Sequence, residues 1–206
     1  MSDLPALLAR LQTSFPADAP LRLLDPVPWD PALDARFPGG HARRWFAAYD
    51  GQEGAEPAVD GHELCSLAEA RSVLPTIDAL RAEPEGYWVE PHWLPITSDG
   101  AGQHLMIDDQ TGAVLSVAHD DDHVDQLAPS PEAWLQDLCD GLESGALVWD
   151  STFGITSAAD LAAMEARRRE REAQAPPAGN RWVTALIFLG TALVMGLFIW
   201  FLESNR

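Results

Sequence analysis

The stretch HWLPITSDGAGQHLMIDDQTGAVLSVA, residues 92–118, decides the fold class. Its apolar residues fall in short alternating runs around His92 to Ile96, Gln103 to Ile107 and Ala113 to Ala118. Asp99-Gly100, Gly102 and Thr111-Gly112 stand between them, and runs of this kind separated by such residues read as strands joined by tight turns. A further run around Tyr87 to Val89 reads as a strand as well. Leu105 with Ile107, and Leu115 with Val117, recur at period two, which predicts an antiparallel hairpin with one buried and one wet face.

On either side the period becomes helical. Leu4, Leu7, Leu8, Leu11 and Phe15 share one helical face, with Ser2, Asp3 and Pro5 marking the start. Asp30-Pro31 opens a short helix carrying Leu33 and Phe37. Pro38-Gly39-Gly40 breaks it, and another helix presents Trp45, Phe46 and Tyr49 before Asp50-Gly51 closes it. After an acidic loop, Ser66-Leu67-Ala68-Glu69 is a capping-box sequence for a helix to about Leu74. Pro84 to Gly86 is loop. Ser130-Pro131 starts a helix with Trp134, Leu135, Leu138 and Leu142 on one side, ending near Gly145. Residues 119–129 read as the loop before it. The expectation is an α+β domain over residues 1–150, an antiparallel sheet packed with helices.

Beyond it, residues 151–181 read as a stalk. Ser157 and Asp160 start a helix, DLAAMEARRREREAQA is polar on nearly every face, and Pro176, Pro177 and Gly179 end it. Trp182 to Leu202 carries no charge, and twelve of its residues are Leu, Ile, Val or Phe. At about −0.4 kcal/mol each, these favour insertion into a bilayer by roughly 5 kcal/mol, so the segment reads as a transmembrane helix followed by the short tail 203–206. The amino terminus lacks a basic region ahead of an apolar run, as an export signal would have. Arg167, Arg168, Arg169, Arg171 and Arg181 precede the apolar segment and only Arg206 follows it. The expected localisation is the inner membrane, single-pass and tail-anchored, with the amino-terminal domain in the cytoplasm. Ala192 and Gly196, four apart, offer a weak homodimer contact.

Charge narrows the function. The 206 residues hold 13 arginines, no lysine and 32 Asp plus Glu, a net −19. Within residues 1–150 the counts are 7 arginines against 27 acids, a net −20, and no arginine lies between Arg81 and Arg167. Nucleic-acid binding needs a basic footprint to displace counterions, so that class is excluded. Such a one-sign field instead speeds association with a cationic partner by roughly 10- to 1000-fold. Acidity also serves solubility alone, and both readings stand on composition.

Trp93 to Gly100 (WLPITSDG), the strand HLMID ending at Asp108, the Gly112-Ala113-Val114 return and the SPEAWL helix start resemble the SUKH superfamily, named for yeast cell-wall synthesis regulators and bacterial toxin-immunity proteins. Phe37-Pro38, Trp45-Phe46 and Tyr49-Asp50-Gly51-Gln52 are similar to its helical lead-in. The resemblance covers about residues 20–148; before Phe37 the chain is proline-rich and departs from the pattern. It implies an α+β fold and, in most bacterial members, neutralisation of a nuclease or other polymorphic toxin by direct binding. The expected function is therefore that of a non-enzymatic, membrane-tethered immunity protein whose partner is a cationic toxin. A membrane-anchored regulatory adaptor for envelope synthesis or signalling is the alternative.

Candidate partner-binding residues are Trp88, Trp93, Asp99, Asp108 and the loop His119, Asp120, Asp121, Asp122 and His123. The loop reads as a solvated acidic segment. Its imidazoles and carboxylates are the types that hold a divalent cation, but consecutive residues seldom converge on one ion. Trp93 and Trp134 also suit a core, and Asp99 and Asp108 suit turns. No catalytic residue, metal site or cofactor is expected: His62-Glu63 lacks a second histidine four residues on, Gly100-Ala101-Gly102 is too short for a phosphate loop, and no G-x-S-x-G elbow occurs. Cys65 and Cys139 are too few and too distant for a disulfide framework or a zinc cluster.

Overall fold

A computed structural model describes residues 3–18, 20–83, 89–118 and 123–174. The chain divides into two units, Met1–Leu161 and Ala162–Arg206. The first is α+β, with antiparallel sheets packed against helices. Helix α1 (Leu4–Ser14) buries Leu4, Leu7, Leu8 and Leu11, the expected stripe. A 3-10 turn follows at Pro31–Leu33, where the Asp30 carboxylate accepts the Ala32 N–H at 2.9 Å. Helix α2 (His41–Phe46) buries Ala42, Trp45 and Phe46.

Strand β1 (Glu63–Leu64) leads into α3 (Leu67–Arg81), which opens on a complete capping box. The Ser66 hydroxyl accepts the Glu69 N–H at 3.2 Å, and the Glu69 carboxylate accepts the Ser66 N–H at 2.7 Å. The helix runs through Pro75, past its expected end near Leu74. Its inward row of Leu67, Ala70, Leu74 and Ile77 continues across the proline, and burying Ile77 offsets much of a cost of about 3 kcal/mol.

The central sheet has the order β2-β4-β5-β6, antiparallel throughout, from β2 (Trp93–Pro95), β4 (His104–Asp108), β5 (Val114–Val117) and β6 (Val124–Ala128). The hairpin expected from residues 92–118 is present. Strand β3 (Thr97–Ser98) leaves this sheet to pair with β1. Two expectations are corrected here. Neither face of the hairpin is wet: Leu105, Ile107 and Val114 face a core built with α1 and α2, while Met106, Leu115 and Val117 pack with Ile77 and Val89 on the other side. Residues 124–128 are a strand and not part of a loop, an edge strand whose Asp125, Gln126 and Leu127 are exposed. Val89 is buried but lies outside any strand, and Tyr87 falls outside the described residues.

Helix α4 (Pro131–Ser144) starts on the Ser130 cap, buries Trp134, Leu135, Leu138 and Cys139, and ends at Gly145, whose φ of 76° suits glycine. The antiparallel hairpin of β7 (Leu147–Asp150) and β8 (Gly154–Ser157) follows. Ile155 is core, its N–H donates to the Ala58 carbonyl at 2.8 Å, and Asp60 N–H donates to the Ile155 carbonyl at 2.9 Å. Residues 154–157 therefore belong to the packed body and not to a stalk beginning at 151. Helix α5 (Ala158–Gln174) buries no residue and carries the exposed ion pairs Glu165–Arg169 and Arg168–Glu172.

Among the described residues no helix is long and apolar enough to cross a membrane; the longest, α5, is too densely charged. This corrects the expected placement as a single-pass inner-membrane protein. Trp182 to Leu202, on which that placement rested, lies outside the described residues, as do Ala192 and Gly196.

Candidate partner-binding surface

The sheet register sorts the expected site residues onto two ends of the molecule. At one end Trp93 stands opposite Asp108. Asp108 shapes the β4–β5 turn, its carboxylate accepting the Gln110 N–H at 2.8 Å and the Thr111 hydroxyl at 2.7 Å. His92 Nε2 lies 3.4 Å from the same carboxylate. Trp93 is half-buried against the Met106 side of the sheet, and its indole N–H has no partner among the described residues.

At the other end are Asp99 and His123. Asp99 accepts N–H bonds from Ala101 at 2.8 Å and Gln103 at 2.9 Å. Partial burial works to raise its pKa, but those bonds, together with Gly102 N–H and the neighbouring His62, hold it below the usual carboxylate value. His123 is exposed, 2.9 Å from Asp125. Strand β4 separates the two ends by roughly 15 Å, so Trp93 and Asp108 do not share a site with Asp99 and His123. Trp88, His119, Asp120, Asp121 and Asp122 lie outside the described residues.

Two buried polar centres escape the sequence reading. Asp109 is fully buried, and its carboxylate accepts N–H bonds from Gly39 at 2.6 Å, Gly40 at 3.2 Å and Ala42 at 2.9 Å. It caps α2 from the β4–β5 turn, and a charge there is tolerated because backbone donors solvate it. A Cβ on Gly39 would collide with the Asp109 backbone carbonyl. Only glycine allows this approach.

The second centre is Thr97, flanked by His62 and His104, all buried. Leu105 N–H donates to the Thr97 hydroxyl at 2.9 Å, and His62 Nδ1 is 3.0 Å from that hydroxyl. His104 Nδ1 is 2.8 Å from the Thr97 carbonyl and must be the donor there. Burial, with His104 nearby, keeps the His62 pKa below the ordinary imidazole value against the pull of Asp99 and Asp60. The knot ties β3 to β4.

The Tyr49-Asp50-Gly51-Gln52 segment acts as a staple. Asp50 accepts the Leu67 N–H at 2.7 Å. Gln52 accepts the Leu64 N–H at 2.8 Å and donates to the Glu56 carbonyl at 2.6 Å. Neither thiol is activated: burial pushes Cys65 up to about 12, with Glu69 and Glu63 adding to it, and burial raises Cys139 as well. The described residues group no three metal-ligating side chains.

These carboxylates and imidazoles hold backbone in place. No curated protein matches the chain. Residues 41–137, which run from α2 through the central sheet into α4, match the SMI1 / KNR4 family (SUKH-1). The part of the chain that carries the two-sided sheet and its caps is a SUKH domain.

Proposed function

We propose that the chain is a non-enzymatic binding protein of the immunity kind, which sequesters a cationic, nuclease-type toxin. The observation that supports this reading is that a SUKH domain coincides with a domain of net charge −20 over residues 1–150. A nuclease must be cationic to hold phosphate, and carboxylates presented to its cleft compete for that site while steering the encounter. His119, Asp120, Asp121, Asp122 and His123 are the proposed contact, with Asp99 as a further candidate. Trp88, Trp93 and Asp108 are secondary candidates.

The test is co-expression with the toxin domain encoded by the neighbouring open reading frame. Cells carrying this chain survive, and purified toxin binds it with an association rate that falls steeply as salt rises. Replacing Asp120, Asp121 and Asp122 by Asn weakens capture more than it lowers the melting temperature. A salt-independent association rate would remove the electrostatic basis. A gene neighbourhood without any toxin would favour the regulatory-adaptor alternative.

A further inference from the structure

A cleft of about 340 Å³ is lined by none of Trp93, Asp99, Asp108 or His123. Phe15, Leu21 and Trp149 give it apolar walls, and Asp18, Glu53 and Glu56 stand on its rim. The walls come from residues 15–22 after α1, the 52–57 segment and β7, three segments distant in sequence. Its backbone is fixed by hydrogen bonds: Glu53 N–H donates to Arg22 at 2.8 Å, Leu24 N–H to Gly51 at 3.0 Å, and the Gln52 amide holds the Glu56 carbonyl. Arg22 is the only cation among the described lining residues, and it reaches Glu53 at 3.4 Å with both side chains well exposed. That contact is weak and readily exchanged for a better cation.

A cleft of this size sits at the small end of ligand sites, suited to one long side chain. An aromatic wall together with carboxylates matches a guanidinium, which stacks on an indole and donates to carboxylates in a fork, while its methylene stem fills the apolar part. We propose that this cleft receives an arginine side chain presented by a basic protein partner. That the partner is a toxin rests on the reading of the preceding section; the affinity for a guanidinium does not.

The experiment uses the full chain with its tryptophan indoles labelled with nitrogen-15, the Trp149 signal being assigned through Trp149→Phe. N-acetyl-arginine amide shifts that signal saturably, with a Kd in the millimolar range. The uncharged isostere N-acetyl-citrulline amide binds at least about tenfold more weakly. Glu53→Gln combined with Glu56→Gln weakens arginine amide severalfold. Arg22→Gln tightens it by removing the resident cation, a gain that damage to the fold does not produce. Equal binding of citrulline and arginine amides, a Trp149 signal unmoved up to about 50 mM ligand, or preference for N-acetyl-lysine amide would overturn the assignment. Loss of toxin protection with this titration intact would fail the immunity reading alone.

Discussion

The end of the sheet at the β4–β5 turn and the cleft beside β7 both collect carboxylates and use them in opposite ways. Around the turn, Asp109 and Asp108 spend their lone pairs on backbone N–H groups and the Thr111 hydroxyl, and Asp109 sees no solvent. In the cleft, Asp18, Glu53 and Glu56 are exposed, and among the described residues the one ion pair any of them makes is a loose arginine contact. Net charge counts both groups alike. Both groups add to the long-range field, but the second stands exposed while the first is held by its own backbone, so removing acids should separate into effects on folding and effects on binding.

The sharpest separation is expected at Asp109. Asp109→Ala leaves three backbone donors of the α2 start without their acceptor in a buried place, a loss of about 3–5 kcal/mol in urea unfolding. Asp109→Asn keeps one acceptor oxygen and falls between. A loss below about 1 kcal/mol for the alanine variant would mean that the carboxylate is not the cap. Met106→Ala comes next. With both faces of β4 covered it costs about 2–3 kcal/mol, whereas a side chain on a wet face would cost under about 0.5 kcal/mol.

Acidification probes the Thr97 knot with a smaller effect. His62 is neutral in the fold, with a pKa below its ordinary 6.5, so the unfolded chain binds the extra proton first. The stability it contributes is whole above pH 6.5 and is lost as pH falls from there through the folded pKa. The window for Asp99 is lower: its depressed pKa contributes stability above its ordinary 3.8 that disappears as pH falls through the folded value. His62→Gln should flatten the stability profile just below pH 6.5 and leave the more acidic limb unchanged. Parallel profiles for the two proteins would show that His62 is solvated in the native state.

What was readable in residues 92–118 was readable because period and turn chemistry agree there: Asp99-Gly100 and Thr111-Gly112 punctuate runs that pack. Helices α1 and α4 announced themselves by stripe and cap for the same reason. Strand β6 did not, because an edge strand with three exposed residues, arriving after the run His119 to His123, has no apolar alternation to show. Helix α3 was cut short because proline is a local signal and the burial of Ile77 a tertiary one. The Asp60-Gly61 pair, both at positive φ between the bridged Val59 and His62, was a turn signal present in the sequence but read as acidic loop. Asp109 was beyond any local reading, since its partners lie 67–70 positions away. The cleft was equally hidden, because three separate segments meet in it.

The smallest expected effect on stability is the most informative about binding. Glu53 and Glu56 are exposed, and the only ion pair either makes among the described residues is the 3.4 Å contact of Glu53 with Arg22. Exposed pairs of this kind contribute little, so Glu53→Gln with Glu56→Gln should change the free energy of urea unfolding by less than about 0.5 kcal/mol. The Gln52 amide bonds the backbone carbonyl of Glu56 and not its side chain, so the staple survives the double change. A loss above about 1 kcal/mol would place these carboxylates with Asp109 as architecture and would erase the distinction between the two regions. If stability holds and guanidinium binding falls, the two kinds of acid are distinct: one set folds the chain, and the other is left to receive the arginine of a partner.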